Sequence, residues 1–285
     1  FSPVWDTAIT LICLHESGVP ADHPTMDRAT SWMMDREIRF RGDWHHKNPA
    51  KVEPSGWVFE FNNKWNPDVD DTAMVLLALR QIPTDNPKRR DECFKRAYRW
   101  MLAFQCKDGG WAAFDKDCTK SILEKVPFAD HNAMLDPECV DITARILELL
   151  GYEGYTLENP QVRRGYNFVR EHQEADGSWG GIQPPWVWSI VMLAALGRGF
   201  EDETLRREIA PTGALRVAIA HSPSASALYV LKDAGAPSGF RGVSVDLGAA
   251  MAGKLGVAVV YVPYRAHVDV RFGPLKFTFC HFNFP

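Results

Sequence analysis

The sequence KRAYRWMLAFQCKDGGW at residues 95–111 has a near copy 68 residues further along the chain, RRGYNFVREHQEADGSW at residues 163–179. Each copy reads as a helix that ends in Gln, a turn that contains Gly, and then a Trp. Such repeats predict stacked helical hairpins that share a core, as in a solenoid or a closed toroid of helices. The Trp ring can cover the Gly turn while its indole N–H donates to a backbone carbonyl or to Gln. We therefore predict structural roles for Trp111 and Trp179.

Apolar residues recur at helical spacing around this repeat, and Gly and Pro separate the segments. The predicted helices cover Thr7–Glu16, Met26–Arg36, Thr72–Gln81, Asp91–Gln105, Val140–Leu150 and Gln161–Gln173. The chain up to about residue 182 is therefore predicted to be all-α.

The pattern changes from about Gly213 onward. A strand-like run at residues 215–220 is followed by a loop, by residues 242–247 and an Ala-rich helix that ends at Leu255, and by a second strand-like run at residues 257–262. This order predicts a βαβ-like unit, and hence a short C-terminal α/β segment. The predicted domains are residues 1–182, a junction at 183–208, the βαβ-like segment at 209–264, and a tail at 265–285.

Composition limits the function classes. The 285 residues carry a net charge of −4, and 46% of them are apolar. A chain of this size can bury a full core, and it lacks the basic field that attracts nucleic acid, so no nucleic-acid partner is expected. Six cysteines without a CxxC pair predict reduced, packed thiols. The longest apolar run, Trp186–Leu196, is shorter than the roughly 20 residues that span a bilayer. Because the chain begins at Phe1 without Met or a signal-like stretch, we expect an internal piece of a longer protein.

Three carboxylates stand within four residues at Asp68, Asp70 and Asp71, directly before the predicted helix that begins at Thr72. An Asp at a helix N-terminus is common as a cap, and further acids in the first turn suit the helix dipole. If the site is also dry, the three cannot all be ionised, and one that keeps its proton is a candidate general acid. Metal binding is the rival use of clustered Asp. The spacing lacks the Gly and terminal Glu of a calcium loop, and it differs from the DDxxD pattern that holds magnesium diphosphate, so no metal and no cofactor is predicted.

Six segments, in their order and at nearly the family spacing, resemble the squalene-hopene cyclases: Ser2–Ala8, Gly42–Trp44, Gly56–Phe61, Asp68–Ala73, Gln105–Trp111 and Asp141–Ala144. The resemblance covers about 180 residues, and the two repeats look like the QW motifs of that family. It implies a partial α/α toroid of the terpene cyclase type. It also implies a reaction in which an acidic Asp protonates a terminal alkene of squalene and the polyene closes through carbocations to hopene or hopanol.

The resemblance assigns roles to named residues. Asp70 would be the proton donor, and Asp68 and Asp71 would hold it in place and keep it protonated. Arg145 stands where relatives can carry His as the partner of the acid, and a cation there strengthens the acid because it favours the carboxylate left behind. Asp141 would support Arg145. Three aromatic residues would line the cavity and stabilise cations through their π faces, each by roughly 0.5 to 2 kcal/mol: Trp5, Phe59 and Phe114.

The sequence also departs from the family. Phe114 replaces a Tyr that is common there, and Gly181–Pro185 stands in place of a stretch rich in Trp and Tyr. The second toroid and its membrane-docking segment are missing, so this chain alone is not expected to enclose the apolar cavity that the cations need. The resemblance implies squalene or a similar polyprenoid as partner and a cytoplasmic location, peripheral to the inner membrane face. It is compatible with membrane-surface association and with a homodimer.

A second resemblance covers about 55 residues, from Ile209 to Tyr264. Residues 214–219, 239–247 and 261–264 are similar to the opening of periplasmic family-3 (amino-acid-type) solute-binding proteins, but the match stops before the ligand-binding parts, so no binding residue is carried over. Two other functions stay open. One is a class II cyclase of a diterpene diphosphate, which would need a basic diphosphate pocket that this sequence does not display. The other is a solute-binding module with a helical passenger.

Overall fold

The computed structural model describes residues 2–20, 22–48, 51–60, 62–118, 135–174, 179, 183–199, 202–204, 206, 210, 212–221 and 230–265. The chain forms two compact units. The first contains Phe1–His172 and Ile182–Gly197, and the second contains Gln173–Gly181 and Arg198–Pro285. Among the described residues, no helix combines the length and the apolar character needed to cross a membrane.

The described part of the first unit is helical. Its helices are α1 (Pro3–Glu16), α2 (Pro24–Met34), α3 (Trp44–Lys47), α4 (Val69–Gln81), α5 (Pro87–Leu102), α6 (Val140–Tyr152), α7 (Pro160–Glu171) and α8 (Gln183–Ala195). Four of them begin with Pro directly after a residue whose side chain accepts a backbone N–H of the first turn. Pro suits this position because its φ is already helical and its missing N–H would have no partner there. The cap residues are Ser2, His23, Asn86 and Asn159.

Helix α4 is the central element of the first unit. It is buried along residues 71–79, and it packs against α1, α5 and α6. Helix α6 is buried along residues 142–150 and packs against α4, α7 and α8. A helix that is apolar nearly all round needs neighbours on every side. The acidic motif at the start of α4 is therefore held among packed helices.

Trp111, in the first copy of the repeat, ties α5 to α6. Its ring is buried, and its indole N–H donates to the carbonyl of Met101 at 3.1 Å. Its backbone N–H donates to the hydroxyl of Thr143 at 2.9 Å. The side-chain amide of Gln105 donates to the carbonyls of Gly109 at 3.0 Å and of residue 161 at 2.9 Å. Trp111 thus has the bracing role that the repeat predicts.

Trp57 makes the same pair of contacts before α4. Its indole N–H donates to the carbonyl of Met33 at 2.8 Å, and its backbone N–H donates to the hydroxyl of Thr72 at 3.1 Å. Trp57 also forms an isolated antiparallel bridge with Asp68, and Trp111 forms the matching bridge before α6. The connection that leads into the acidic motif is therefore built like the one that leads into α6.

The second unit contains β1 (Ala214–His221), β2 (Leu231–Lys232), β3 (Phe240–Arg241), α9 (Val243–Leu255) and β4 (Ala258–Arg265). Strands β1 and β4 pair in parallel, which requires a crossover connection, and α9 lies in that connection. The hydroxyl of Tyr261 donates to the carbonyl of Val245 at 2.6 Å. A Cβ atom on Gly248 would lie 2.9 Å from the side chain of Val217, so the helix approaches the strand closely. The likeness to solute-binding proteins stays a prediction.

The predicted junction at residues 183–208 begins with a helix. Helix α8 packs against α6, and a Cβ atom on Gly151 would lie 2.5 Å from the carbonyl oxygen of Ala195. In the second unit, Trp179 is buried and the amide of Gln173 donates to the carbonyl of Thr204 at 2.9 Å. The domain boundary at residue 182 stays a prediction, and the predicted tail lies outside the described residues from position 266 onward.

Candidate active site

Asp68 caps helix α4. Its carboxylate accepts the backbone N–H groups of Asp70 at 2.7 Å and of Asp71 at 3.3 Å, and its own N–H donates to the carbonyl of Trp57 at 2.6 Å. Asp is a preferred N-cap because its side chain pairs with N–H groups that lack a partner inside the helix. Burial raises the pKa of Asp68 well above its usual value, and the carboxylates of Asp71 and Asp136 raise it further.

Asp70 and Arg145 form a buried ion pair. Helices α4 and α6 pack together and bring Nη1 of Arg145 against Oδ1 of Asp70. The side chain of Arg145 is only 3% exposed, whereas that of Asp70 is 21% exposed. An opposite charge this close favours the carboxylate form of an acid. Asp70 therefore combines a buried cationic partner with partial access from outside.

Asp71 contacts α1 instead. Its Oδ1 accepts the hydroxyl of Ser2 at 3.1 Å, and the residue is 1% exposed. Burial raises the pKa of Asp71 to about 6, although the Ser2 hydrogen bond opposes the shift, and the charge of Asp6 adds to it. Asp71 is thus held in place by the cap residue of another helix.

Arg145 lies against two indole rings. Its guanidinium carbon is 4.9 Å from the ring centroid of Trp5 in α1 and 4.4 Å from that of Trp188 in α8. Burial lowers the pKa of Arg145 to about 10, and the charges of Glu148 and Asp68 oppose this shift. Arg145 therefore remains a cation at neutral pH, with part of its lost hydration replaced by aromatic faces.

Glu148 is a second carboxyl group close to Arg145, one turn further along α6. It is 7% exposed. Burial raises the pKa of Glu148 to about 7, while the Arg145 charge and a hydrogen bond from the hydroxyl of Tyr152 act in the opposite direction. Glu148 changes its charge near neutral pH, unlike an ordinary Glu.

The charges of this cluster do not balance when all groups are ionised. Three acidic side chains, Asp68, Asp70 and Glu148, act on the guanidinium of Arg145, and the buried carboxyl group of Asp71 lies beside them against Ser2. Carboxylates that share a dry site cannot all be ionised, so the cluster retains protons at neutral pH. A retained proton beside a partly accessible carboxyl group is what a general acid requires.

The two other aromatic residues of the predicted site are partly open to solvent: Phe59 is 46% exposed and Phe114 is 40% exposed. Phe59 lines a cavity of about 460 Å³ whose wall also includes Pro3 and Val4 at the start of α1. The loop that carries Phe114 is joined to α4, because the N–H of Val69 donates to the carbonyl of residue 113 at 2.8 Å. Phe59 lies in the sequence shortly before the acidic motif, and Phe114 lies on a loop that is hydrogen-bonded to its Val69.

Residues 1–207 match the squalene-hopene cyclase C-terminal domain family, and this segment is more than two thirds of the chain. The chain belongs to that family. Its cluster of carboxylates around Arg145 lies inside the matched segment.

Several relatives of this chain have the names of terpene cyclases and synthases. A squalene–hopene cyclase of Alicyclobacillus acidocaldarius is 39% identical over 196 residues, 69% of this chain and 30% of that protein. A dammaradiene synthase of Dryopteris crassirhizoma is 41% identical over 63% of this chain and 27% of that protein. A sporulenol synthase of Bacillus subtilis is 35% identical over 63% and 28%. The chain spans about 30% of the length of the curated relatives it matches.

Among solved structures, a type II terpene cyclase from Scytonema in complex with geranylgeranyl dihydroxybenzoate has a TM-score of 0.45 to this chain. The sequence identity is 16%, and the match covers 76% of this chain and 57% of that chain.

Asp141 has a different setting from the other residues that the squalene-hopene cyclase resemblance assigns. It lies in the first turn of α6, one turn before Arg145, and is half-buried. Within the described residues it makes no hydrogen bond or ion pair with Arg145, whose ionic partner is Asp70. The supporting role of Asp141 stays a prediction.

Sequence reasoning missed several residues of the site. Glu148 interrupts an otherwise apolar and buried stretch of α6, and a charged residue in such a stretch is the signal that could have identified it. Trp188 lay in the segment interpreted as a junction. Asp136 accepts the N–H groups of residues 113, 114 and 115 at 3.3, 2.6 and 2.7 Å, which fixes the loop of Phe114. That role depends on a distant turn and has no clear sequence signal.

Among the residues that the structure describes, one group of side chains has the composition of a metal site. The potential ligand atoms of Cys106, Asp117 and Glu138 lie within 4.8 Å of one another. Burial raises the pKa of the Cys106 thiol, and its sulfur accepts the N–H of Asp117 at 3.2 Å and lies 3.6 Å from the carbonyl oxygen of Phe104. These contacts favour a protonated, structural thiol over a metal ligand.

Proposed function

We infer that this chain carries the protonation site of a squalene-hopene-cyclase-type triterpene cyclase, with Asp70 as the acid. The observation that carries the proposal is the ion pair of Asp70 and Arg145 within a cluster that has more carboxyl groups than cations. The family membership and the named terpene cyclases among the relatives support it.

The proposed reaction begins when the π electrons of a terminal alkene take the proton of Asp70. A new C–H bond forms, the O–H bond breaks, and a tertiary carbocation remains on the polyprenoid. Asp70 becomes a carboxylate, and Arg145 stabilises that negative charge. The cation then closes rings by attack of successive alkenes, and it ends by loss of a proton to water to give hopene, or by addition of water and transfer of the extra proton to a second water molecule to give hopanol.

The aromatic residues Trp5, Phe59 and Phe114 would stabilise the cationic intermediates. A desolvated cation over an aromatic face gains roughly 2 kcal/mol, whereas an exposed one gains about 0.5 to 1. Phe59 and Phe114 are both substantially exposed in this chain. Their stabilisation of a cation therefore depends on whether water is excluded from their ring faces. Trp5 already faces the guanidinium of Arg145, which links it to the acid as well as to a substrate.

The proposal is tested by incubating the purified chain with squalene and reading cyclised triterpenes by gas chromatography. Asp70→Asn removes the proton and keeps the size of the side chain. Asp91→Asn is the matched control, because Asp91 is an exposed residue paired with Arg90. Product from the parent and the control, but not from Asp70→Asn, supports Asp70 as the acid. Equal product from Asp70→Asn would exclude it.

A second substrate class is favoured by the cavity beside Phe59. Its wall includes three cationic side chains, Arg36, Arg39 and Lys64, as well as two acidic ones, Asp35 and Glu37. Asp35 pairs with Arg89 outside the cavity wall at 2.7 Å, whereas Glu37 pairs with Arg96 outside it at 2.7 Å and with Arg39 within it at 3.3 Å. The wall therefore has one more cationic than acidic side chain, next to apolar side chains.

Such a wall suits a polyprenoid with an anionic head, as in a class II cyclase of a diterpene diphosphate. The discriminating assay offers squalene and geranylgeranyl diphosphate to the parent, to Lys64→Gln and to Lys88→Gln as a surface control. Conversion of the diphosphate that weakens in Lys64→Gln alone would favour the anionic substrate. Conversion of squalene only would favour the triterpene reaction.

A further inference from the structure

Helix α6 presents three polar groups along one stripe: Arg145, Glu148 and Tyr152. They are spaced by three and four residues, so consecutive members are neighbours on the helix surface, with Cβ atoms about 5 to 6 Å apart. Arg145 and Glu148 are buried, at 2% and 7% exposure, whereas Tyr152 is 40% exposed. The stripe runs from the buried site towards solvent.

Two of these groups have unused hydrogen-bonding atoms. Within the described residues, Nε and Nη1 of Arg145 and Oε2 of Glu148 are buried and make no hydrogen bond. A buried donor of a cation and a buried acceptor of a carboxylate, one turn apart, are complementary partners. The same cation is paired with Asp70 across the helix interface.

Of the helices packed on α6, α7 and α8 bring no charge to Glu148 among the described contacts, whereas α4 carries charged residues at both of its ends. Helix α8 has no ionisable side chain. In α7, Arg163 and Arg164 hydrogen-bond to residues 157, 158, 105 and 106, and Arg170 and Glu171 are exposed. Helix α4 contributes Asp68 and Asp70 at one end and, at the other, Arg80, whose guanidinium lies 4.9 Å from the Tyr152 ring; the charge of Glu16 also acts on Tyr152.

We propose that Glu148 is a positioning residue that shares the guanidinium of Arg145 with Asp70. When Glu148 is ionised, it draws Arg145 towards itself, so the Asp70 carboxylate is less stabilised and Asp70 is the weaker acid. When Glu148 is protonated, Arg145 pairs with Asp70 alone. The Asp70 carboxylate is then more stabilised, so Asp70 is the stronger acid. The inference rests on the proposed function and adds that the charge of Glu148 sets the acid strength of Asp70.

The sharing is measured without turnover. In the full chain with carbon-13-labelled glutamate carboxyl groups, Glu148→Gln identifies the signal of Glu148, and its titration midpoint is then followed by NMR. Asp70→Asn removes the competitor, so the midpoint should fall by about one pH unit. Removing a nearby negative charge would also lower it directly, so the same comparison is made in an Arg145→Gln background.

In that background the cation to be shared is gone, and the effect of Asp70→Asn on the midpoint should shrink to less than half. A shift of the same size with and without Arg145 would overturn the proposal. As a second readout, the nitrogen-15 signal of Arg145 Nε should move with pH around neutrality in the parent and in Tyr152→Phe, but not in Glu148→Gln. An Arg145 signal that moves equally in Glu148→Gln would also overturn it.

The pH dependence of the cyclisation rate tests the effect of Glu148 on function. The ratio of the cyclisation rate at pH 6 to that at pH 8 should be about threefold to tenfold larger in the parent than in Glu148→Gln, since one pKa unit corresponds to a factor of ten. Equal ratios would contradict the proposal. A parent that forms no product would count against the proposed function, while the NMR comparison would still decide whether Arg145 is shared.

Discussion

Asp68, Asp70 and Asp71 are neighbours in the sequence, but their carboxyl groups have different partners. Asp68 accepts N–H groups of its own helix, Asp70 pairs with Arg145 from α6, and Asp71 accepts the hydroxyl of Ser2. Successive residues in the first turn of a helix point in different directions, so each reaches a different neighbouring element. Substituting one of the three residues therefore tests its own contact without removing the contacts of the other two.

We expect Asp68→Asn and Asp68→Ala to differ in stability. Asn can accept the same backbone N–H groups, whereas Ala leaves them without a partner and should lower the free energy of unfolding by about 1 kcal/mol relative to Asn. Urea unfolding followed by circular dichroism compares the two. Equal midpoints would show that the cap is not needed.

The buried acids also predict a pH dependence of stability. The pKa values of Asp71 and Glu148 are raised to about 6 and about 7, so the folded chain holds protons that the unfolded chain releases above about pH 4. Since the unfolded state then binds fewer protons, stability should fall as pH rises from about 4 to 7, by a few kcal/mol in total. Thermal melting at pH 5 and pH 8 should show a lower melting temperature at pH 8.

The variants Asp71→Asn and Glu148→Gln should each reduce this difference, because the side chain that loses its proton on unfolding is gone. Asp91→Asn, on an exposed residue, should leave it unchanged. A parent chain that melts at a higher temperature at pH 8 than at pH 5 would contradict the prediction.

At this scale the sequence predicted part of the site. The family resemblance selected Asp70 and Arg145, and the structure brings these two together. A capping role for Asp follows from general helix rules, and Asp68 has it. Glu148 was not predictable in this way, because a Glu one turn after an Arg is ordinary on an exposed helix face. Its burial depends on helices that arrive from other parts of the chain.

In the first unit, six helices were predicted from the sequence and α3 and α8 were not, and the predicted beginning is exact only for α6, at Val140. The predicted segment Thr7–Glu16 corresponds to a helix at Pro3–Glu16, and Asp91–Gln105 corresponds to Pro87–Leu102. Apolar periodicity detects the buried face, whereas a helix starts at its cap. Pro after Ser or Asn was interpreted as punctuation between helices, although it occupies the first helical position.

Helix α8 brings Trp188 to Arg145, and this contact should be measurable. A double-mutant cycle of Arg145→Gln and Trp188→Leu should give a coupling of about 0.5 to 2 kcal/mol, since the cation–π contact is buried. Trp188→Phe, which keeps a π face, should retain part of it. Unfolding free energies supply the measurement.

The control cycle pairs Arg145→Gln with Trp32→Leu. Trp32 lies under a different cation, the guanidinium of Arg36, at 3.6 Å. No coupling is expected in this cycle. If this control cycle gave a coupling as large as that with Trp188, the coupling between Arg145 and Trp188 would not be due to their direct contact.

For the molecule as a whole, the position of α8 predicts which pieces fold. A chain of residues 1–197 keeps the first unit with its helix on α6, whereas a chain of residues 1–182 loses α8 and exposes the α6 surface beneath it. Met192 and Leu193 of α8 are buried, and each such side chain contributes about 1.5 to 3 kcal/mol.

The longer piece should therefore show a cooperative thermal transition, and the shorter piece should melt at a clearly lower temperature or not fold. Circular dichroism of the two purified chains makes the comparison. Identical melting curves would indicate that α8 is dispensable and would support a boundary at residue 182.

The duplicated Trp connection bears on how such a reaction centre can arise. Trp57 and Trp111 lead into α4 and α6 through the same contacts, and Asp70 and Asp141 occupy corresponding places in the two helices, each two residues before the Thr that accepts the Trp N–H. Asp70 pairs with a guanidinium, whereas Asp141 makes no ion pair within the described residues. The scaffold thus offers the same position at the start of two helices, and a neighbouring helix supplies a cation to only one of the two acids. The position of Asp141 is therefore a second starting point for redesign.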